Sequence, residues 1–281
     1  MTELKVGKAV VVAGTVVPVT RLLAPNAGPM TGPGTNTYLV GSRELALIDP
    51  GPADDRHVAA IQAAISHRTL RWIFVTHTHA DHSPGAAMLA RQTGAELVGI
   101  PAPEGGHHDY SFAPTREYRH GEVIGDGEFS MELVHTPGHV SNHFCYLLRE
   151  ENLLFTGDHI LQGTTSVILP PDGDMADYLQ SLNLLLEYPL DYLAPGHGSL
   201  IPHPQVAIRD LLAHRMRREN KILHAMPLNK EVATEELTRL VYDDVAPHLL
   251  PWARKTLEAH LIKLKGESRV TKNGDGWILK S

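Results

Sequence analysis

Short apolar runs alternate with polar loops and helical stretches through roughly residue 200. The apolar and β-branched runs predict strands at Ala9–Thr20, Thr37–Val40, Leu45–Ile48, Trp72–Val75, Glu96–Gly99, Met131–His135, Phe144–Leu148, Leu153–Thr156 and Asp191–Ala194. The longer stretches predict helices at Asp54–Ser66, Gly85–Thr93, Met175–Tyr188 and Pro204–His224. Strands that alternate with helices indicate sheets covered by helices, an α/β or α+β arrangement.

The pattern changes after His203. The tail predicts a helix at Glu231–Asp244, a break at Pro247 and Pro251, a helix at Trp252–Lys265, and a strand–turn–strand around Asn273–Gly276. Short helices followed by a terminal hairpin outline a winged helix. We therefore expect two domains, at residues 1–204 and 205–281.

Charge divides at the same point. Residues 1–204 carry a net charge of −11 and residues 205–281 a net charge of +4, which gives −7 for the chain. A mildly basic tail fits either a solvated helical face or a surface that meets substrate, and both interpretations stay open. The overall negative charge gives no broad basic footprint for nucleic acid.

The composition limits the class of protein further. A chain of 281 residues with 42% hydrophobic and 20% charged residues fits a folded globular protein. Its single cysteine, Cys145, excludes an internal disulfide and a multi-cysteine zinc site, and its strand position predicts a core residue. No apolar run reaches the ~18 residues of a membrane span. Glu3, Gly14 and Pro18 interrupt the segment that would otherwise resemble a signal peptide, so we expect a cytoplasmic protein.

The strongest candidate for chemistry follows the apolar strand Trp72–Val75. The segment from Thr76 to His82 reads Thr-His-Thr-His-Ala-Asp-His and places four ligand-type side chains within six residues. Clustered imidazoles and a carboxylate would destabilise a core that held no cation. Because alternate side chains of extended chain point to the same side, His77 and His79 are expected to bind one ion. Asp81 and His82 then turn towards a second position.

Three further ligand-type residues each follow a predicted strand and a glycine. They are His139 in His-Thr-Pro-Gly-His, Asp158 in Thr-Gly-Asp, and His197 in Pro-Gly-His-Gly. Each motif alone is typical of a turn, but together they predict ligands on one rim of the sheets.

These motifs resemble the metallo-β-lactamase superfamily over about residues 10–200. The resemblance implies a four-layer αβ/βα sandwich with a dinuclear site at one edge. It assigns His77, His79 and His139 to one ion and Asp81, His82 and His197 to the other, with Asp158 bridging both. Asp49 in Ile-Asp-Pro-Gly matches an early acidic motif of the family, and we interpret it as the residue that orients a ligand histidine.

Nitrogen and oxygen ligands suit zinc best, and manganese and iron also fit. The diiron oxygen-reducing branch of the family has Glu where this chain has His79, which disfavours redox chemistry. The expected reaction is hydrolysis by a metal-bridging hydroxide, with Asp81 and Asp158 as the catalytic carboxylates.

Two branches of the family fit poorly. True β-lactamases lack the bridging aspartate and are exported. The nucleic-acid processors of the β-CASP branch need a large domain between the late motifs, and only 39 positions separate Asp158 from His197.

The β-lactamase-like protein 2 group resembles nearly the whole chain. The sequence motifs of that group are present in this chain at Gly28–Met30, Gly34–Gly41, His139 with His143, Gly157-Asp158 followed by Gly163–Thr165, and His214–Glu219. Members of this group are single-strand endoribonucleases in animal mitochondria and polyketide thioesterases in fungi. Ester, thioester, lactone and phosphodiester substrates therefore stay open, because one ligand set serves them all. The expected partner is a small acyl molecule or single-stranded RNA, with no membrane, and a homodimer is also compatible.

The alternative from another class is a nucleic-acid-binding module on a metallo-fold scaffold. Such a module would be expected to lack at least one of the metal ligands of the family, whereas all of them are present in this sequence. In the tail, Trp252 and Trp277 occupy apolar positions, so we expect both in the core rather than on a base-stacking surface.

A second tier of residues would border the site. Asn36, His143, Thr164 and Thr165 are candidates for substrate binding, although turn chemistry or packing explains each equally well. The remaining loop histidines have no motif and are not expected to be ligands; they include His107, His108, His120, His159 and His203.

Overall fold

Tertiary contacts divide the chain into two compact units in the computed structural model, which describes residues 5–125 and 127–281. The first unit contains the described residues up to Thr136, together with Asn142–Ser166 and Tyr188–Pro204. The second contains Pro137–Ser141, Val167–Glu187 and Gln205–Ser281.

The first sheet of the first unit follows the order of its strands along the chain. These are β1 (Val10–Val11), β2 (Val19–Leu23), β3 (Asn36–Val40), β4 (Glu44–Ile48), β5 (Thr69–Phe74) and β6 (Glu96–Val98). The first four pair antiparallel, whereas β4, β5 and β6 are parallel and are joined by helices α1 (Asp55–Ile65) and α2 (Pro84–Thr93). Parallel neighbours need such crossovers, which is why this half of the sheet alternates with helices.

The second sheet has the order β12-β11-β10-β9-β8-β7. Its strands are β7 (Val123–Gly125), β8 (Ser130–His135), β9 (Phe144–Leu148), β10 (Leu153–Gly157), β11 (Tyr192–Pro195) and β12 (Ile201–Pro202). Only β10 and β11 pair in parallel among these described strands. The carboxyl ends of β5, β10 and β11 each lead directly into a predicted ligand segment.

The main core lies between the two sheets. Tyr38 of β3 packs on Phe155 of β10 at 5.1 Å between ring centroids, and Phe74 of β5 packs on Tyr146 of β9 at 5.0 Å. A second apolar cluster fills the opposite face of the first sheet beneath α1 and α2. In β4, Leu45 and Leu47 belong to that outer cluster, while Ala46 and Ile48 belong to the inner one. Burial on both faces explains why these strands are continuous apolar runs.

The second unit consists mainly of helices and a small sheet. Its elements are α3 (Met175–Leu185), α4 (Pro204–Ala225, from Gln205 onward), β13 (Glu231–Ala233), α5 (Thr234–Val241), α6 (Leu250–Gly266), β14 (Val270–Asn273) and β15 (Gly276–Leu279). The sheet order is β13-β15-β14. Leu237 of α5, Leu257 of α6 and Trp277 of β15 pack into one core. In the same unit, Glu219 of α4 is 1% exposed and accepts hydrogen bonds from Lys263 of α6 at 2.9 and 3.1 Å.

Some predicted boundaries in the first unit are wrong. The single strand predicted at Ala9–Thr20 is two strands, β1 and β2, because Gly14 has a φ of +88° and a turn separates them. The short strands β7 and β12 were missed because three-residue and two-residue pairings leave no periodic signal.

The tail also differs from the prediction. Residues Glu231–Ala233 form strand β13 rather than the first turn of a helix, because they pair with β15. Pro251 does not break a helix; it lies in the first turn of α6, where a proline costs no hydrogen bond. Trp277 is buried as expected, but Trp252 is 40% exposed, so its assignment to the core is wrong. Cys145 is a buried free thiol, as predicted.

Among residues 5–125 and 127–281, none of the helices has the length and apolar character needed to cross a bilayer.

His57 on α1 predicts an acid-sensitive component of the stability. This side chain is 1% exposed, its Nε2 lies 2.8 Å from Thr37 Oγ1, and burial lowers its pKa to about 4. Since the pKa in the unfolded chain is about 6.5, the unfolded state binds the proton more strongly. We expect this residue to remove up to about 3 kcal/mol of unfolding free energy as the pH falls from about 6.5 to 4. Urea unfolding at several pH values measures the loss, and the His57→Gln variant should show a shallower slope; identical slopes would contradict the assignment.

Candidate metal centre

The loop that follows β5 places most of the candidate ligands. Extended chain continues past Phe74, since Val75 N–H donates to Val98 O at 2.9 Å. The chain then turns, with His82 N–H donating to His79 O at 3.0 Å, and α2 begins at Pro84. The turn keeps residues 77–82 at the carboxyl end of β5.

His77 and His79 converge as the alternation predicts. His77 Nε2 lies 3.0 Å from His79 Nδ1, and the ring centroids are 4.6 Å apart. His77 is fully buried and His79 is partly exposed. Two ring nitrogens that face each other at this distance can offer lone pairs to one cation.

A second group combines two imidazoles with two carboxylates. His82 Nε2 lies 3.4 Å from Asp81 Oδ2 and 3.3 Å from Asp158 Oδ1. His197 Nε2 lies 3.1 Å from Asp81 Oδ2 and 3.3 Å from Asp158 Oδ1. Ligand atoms of His77, His82 and Asp158 also lie within 4.8 Å of one another, so the two groups are continuous through Asp158. This is the arrangement that a bridging carboxylate requires.

His139 belongs to the second unit, in the short segment Pro137–Ser141. It is 4% exposed, and its Nδ1 lies 2.7 Å from Val167 O of the same unit. A carbonyl oxygen only accepts, so Nδ1 carries the proton and Nε2 presents a lone pair.

The hydrogen bonds of His82 and His197 indicate the same tautomer as in His139, with the proton on Nδ1. His82 Nδ1 lies 2.8 Å from Asp49 Oδ2, and His197 Nδ1 lies 3.2 Å from Gly34 O. Both partners accept only, so in the neutral rings Nδ1 carries the proton and Nε2 faces the carboxylates with a lone pair. Metal-binding histidines have this pattern, in which the second nitrogen donates to a carboxylate or a carbonyl. The residues present therefore fit a divalent metal.

Charge within the group shifts the pKa values of its members. Burial alone would lower the pKa of His82 and His197, but the nearby aspartates outweigh it and raise the pKa of His82 well above its usual value and that of His197 to about 9. Burial would raise the pKa of Asp158 and Asp81, and the two imidazoles instead lower it in both. The group holds two negative charges, which a divalent cation would neutralise in place of the ring protons.

Asp49 lies at the base of this site and contacts the candidate ligand His82. Its side chain is 2% exposed, and it accepts from Thr76 N–H on Oδ1 and from Thr76 Oγ1 and His82 Nδ1 on Oδ2, each at 2.8 Å. Its backbone has a φ of +49°, a left-handed conformation that aspartate tolerates better than most residues. Thr37 Oγ1 donates to the carbonyl of Asp49 at 2.6 Å and helps to hold that conformation.

Two glycines allow the ligands to approach each other. A Cβ at Gly196 would lie 2.7 Å from His82 Cε1 and 2.9 Å from Asp158 Oδ1. A Cβ at Gly157 would lie 2.5 Å from Thr76 Oγ1 and 2.8 Å from His143 Nε2. Only glycine fits at either position without displacing these groups.

The candidates for substrate binding lie in different surroundings. The Asn36 amide is fully buried: Nδ2 donates to Pro195 O and Gly198 O at 2.8 and 2.9 Å, and Oδ1 accepts from Arg21 Nε at 2.9 Å. His143 is also fully buried, with Nδ1 2.9 Å from Thr136 Oγ1 and its ring stacked 5.3 Å from that of His77. Thr164 is exposed and Thr165 half-buried in the loop after Asp158. Contact of these four residues with substrate stays a prediction.

A family model described as "Metallo-beta-lactamase superfamily" matches residues 30–197. The chain belongs to the metallo-beta-lactamase superfamily. A second family model, "Beta-lactamase associated winged helix domain", matches residues 233–277 and confirms the predicted winged helix.

Curated relatives of this metallo-beta-lactamase superfamily protein carry two kinds of name. A beta-lactamase-like protein 2 homolog from Caenorhabditis elegans is 31% identical and aligns over 88% of this chain and 82% of its own length. Another from Drosophila melanogaster is 30% identical, with 92% and 91% covered. An atrochrysone carboxyl ACP thioesterase from Paecilomyces divaricatus is 34% identical, but the match covers 74% of this chain and only 64% of that longer protein.

Solved structures show the same fold. A beta-lactamase domain protein from Burkholderia ambifaria is 19% identical with a TM-score of 0.81, and 99% of this chain and 95% of that one are covered. A metallo-beta-lactamase family protein from Thermus thermophilus has a TM-score of 0.75 at 21% identity, with 93% and 98% covered. The predicted fold class is confirmed. The family and the thioesterase names among its relatives identify the chain as a metal-dependent hydrolase.

Three residues near the site escaped prediction from the sequence. Thr76 Oγ1 contacts Asp49 and His77, and Thr35 Oγ1 lies 3.5 Å from Asp81 Oδ2. His108 stacks on His79 with centroids 5.4 Å apart, and its Nδ1 lies 2.9 Å from Thr78 Oγ1. The position of Thr76 directly before His77 in the sequence was a signal that it lies near the site. His108 gave no signal, because it lies about thirty residues away in a loop.

Proposed function

We propose that the chain is a dinuclear zinc hydrolase that cleaves acyl thioesters and related esters. His77, His79 and His139 would hold one ion, Asp81, His82 and His197 the other, and Asp158 would bridge both. The observation that carries the proposal is the convergence of His82 and His197 on the same two carboxylate oxygens at 3.1–3.4 Å.

The donor set fits zinc. Each side chain in it offers an imidazole nitrogen or a carboxylate oxygen, which zinc accepts readily and which manganese and iron also accept. When bound, two such ions supply a hydroxide nucleophile at neutral pH and polarise the bond to be cleaved.

The chain's own residues would position the reacting groups. The Asp81 side chain is 27% exposed, so its carboxylate would be able to hold an ion and to orient the attacking water by accepting a hydrogen bond from it. The Asp158 side chain, at 14% exposed, is more enclosed and suits a bridging role. Asp49 and the Gly34 carbonyl keep His82 and His197 in the tautomer that binds through Nε2.

The names of the fungal relatives support a thioester substrate. These thioesterases are 33–34% identical to this chain over 74–81% of its length. Cleavage of thioesters, oxygen esters and lactones requires the same nucleophile, so the site chemistry extends naturally to all three.

Single-stranded RNA is the second candidate, and two features of the tail favour it. Residues 205–281 carry a net charge of +4, and Trp252 exposes 40% of its surface. Ion pairs reduce the charge available to a phosphate backbone. They engage Arg218, Lys221, Arg239, Arg254, Lys263 and Arg269. A pure nucleic-acid-binding module is a weaker candidate still, because it would not need a complete ligand set.

Parallel assays of the zinc-loaded protein test the substrate proposal. We expect turnover of acyl thioesters or lactones that is at least about a hundredfold above the Asp158→Ala variant, which serves as the blank. Labelled single-stranded RNA forms the second arm. Cleavage of RNA alone would overturn the thioester proposal while leaving the metal site intact.

A cytoplasmic location is part of the same proposal. It is supported by the single cysteine, which is buried and reduced, as is usual for proteins of a reducing compartment.

A further inference from the structure

The hydroxyl of Thr76 lies between Asp49 and the candidate ligand His77. Thr76 Oγ1 is 2.8 Å from Asp49 Oδ2 and 3.1 Å from His77 Nδ1. Thr76 and His77 are fully buried and Asp49 is 2% exposed, so these groups satisfy one another within the protein.

The single proton of the hydroxyl decides the direction of both hydrogen bonds. A carboxylate only accepts, so Thr76 Oγ1 must donate its proton to Asp49 Oδ2. The remaining lone pairs of Oγ1 then face His77 Nδ1, and this contact is a hydrogen bond only if Nδ1 carries a proton. His77 Nε2 is consequently left with its lone pair, on the side that faces His79 Nδ1 at 3.0 Å.

We propose that Thr76 is a positioning residue that fixes His77 in its metal-binding tautomer. One oxygen of Asp49 thereby sets two ligands, His82 by a direct hydrogen bond and His77 through the threonine hydroxyl. The inference rests on the proposed metal site and adds a residue to which no role in it was assigned.

The surroundings of Thr76 fit this role. Its backbone is held independently, because N–H donates to Asp49 Oδ1 and the carbonyl accepts from Phe144 N–H, each at 2.8 Å. Gly157 packs against the hydroxyl so closely that a Cβ there would lie 2.5 Å from Oγ1. The hydroxyl is therefore confined, and its removal should leave the path of the backbone unchanged.

Two substitutions at Thr76 distinguish the effect of the hydroxyl from the effect of the side-chain shape. Thr76→Val keeps the branched shape and removes the hydroxyl, whereas Thr76→Ser keeps the hydroxyl. The full chain would be titrated with zinc against a chelator, and the tautomer of His77 would be read in the metal-free chain by long-range ¹H–¹⁵N correlation. Circular dichroism establishes that each variant is folded, and Thr76→Ala replaces the valine variant if that one is not.

We expect zinc affinity to fall by about 10- to 100-fold in Thr76→Val, the range for loss of a group that orients a ligand. His77 should lose its Nδ1–H signature in that variant, and Thr76→Ser should restore both readouts. Wild-type affinity together with an unchanged His77 tautomer in Thr76→Val would overturn the inference. If the wild-type chain binds no zinc, the proposed function fails, and the tautomer measurement alone then decides the role of Thr76.

Discussion

We expect the Asp158→Ala variant to lose bound metal and hydrolytic activity together. Asp158 Oδ1 lies 3.3 Å from Nε2 of both His82 and His197, so one carboxylate connects two candidate ligands. Its removal takes away a negative charge that a cation needs and leaves the two imidazoles with Asp81 as their remaining shared carboxylate. A loss of about 4 kcal/mol of transition-state stabilisation corresponds to a decrease of roughly a thousandfold in rate.

Metal content and turnover measured on the same preparation test this expectation. Asp158→Asn keeps the shape but not the charge, and it should resemble the alanine variant. Asp191→Ala is the matched control, because Asp191 is an exposed acid whose carboxylate accepts from Asn152 Nδ2 at 3.0 Å. An Asp158→Ala protein with normal metal content and turnover would disprove the bridging role.

The second large effect is expected from a single methyl group at Gly196. In Gly196→Ala the new Cβ would meet His82 Cε1 at 2.7 Å and Asp158 Oδ1 at 2.9 Å, closer than such atoms approach in proteins. One of the two ligands must move, so zinc affinity should fall by at least about tenfold. Overpacking should also destabilise the metal-free protein by about 1–3 kcal/mol.

Gly266→Ala provides the control for this variant. Gly266 ends helix α6, and a Cβ there meets nothing within 4 Å, so alanine should be neutral or stabilising by less than about 1 kcal/mol. Zinc titration and thermal unfolding distinguish the two positions. Equal zinc affinity in Gly196→Ala and wild type would mean that His82 and Asp158 do not jointly hold the ion.

The sequence alone predicted elements whose signal is local. Strand β9 was predicted at its observed limits because both of its faces are buried and its apolar run is unbroken. Strand β13 was missed because Glu231–Ala233 become a strand only by pairing with β15, more than forty residues later. Trp252 was assigned to the core by its apolar type, yet the helix that carries it leaves the ring exposed.

In the candidate site, too, residues with a local sequence signal were predicted and residues that depend on tertiary contacts were not. His77, His79 and Asp81 were recognisable because their spacing lies within one loop, and strand ends with glycines marked Asp158 and His197. The hydroxyl of Thr76, the role of Gly196 and the stacking of His108 on His79 depend on tertiary distances. The three-part support of the Asn36 amide likewise follows from the fold and not from the motif around it.

We propose that one continuous group of side chains holds two metal ions that enable hydrolysis. Zinc titration of the metal-free wild-type chain, with bound metal counted by mass spectrometry and turnover recorded at each addition, tests it most directly. We expect two ions per chain, with activity that rises as they bind and is absent in Asp158→Ala. Fewer than two ions at saturation, or full turnover in the metal-free chain, would contradict it.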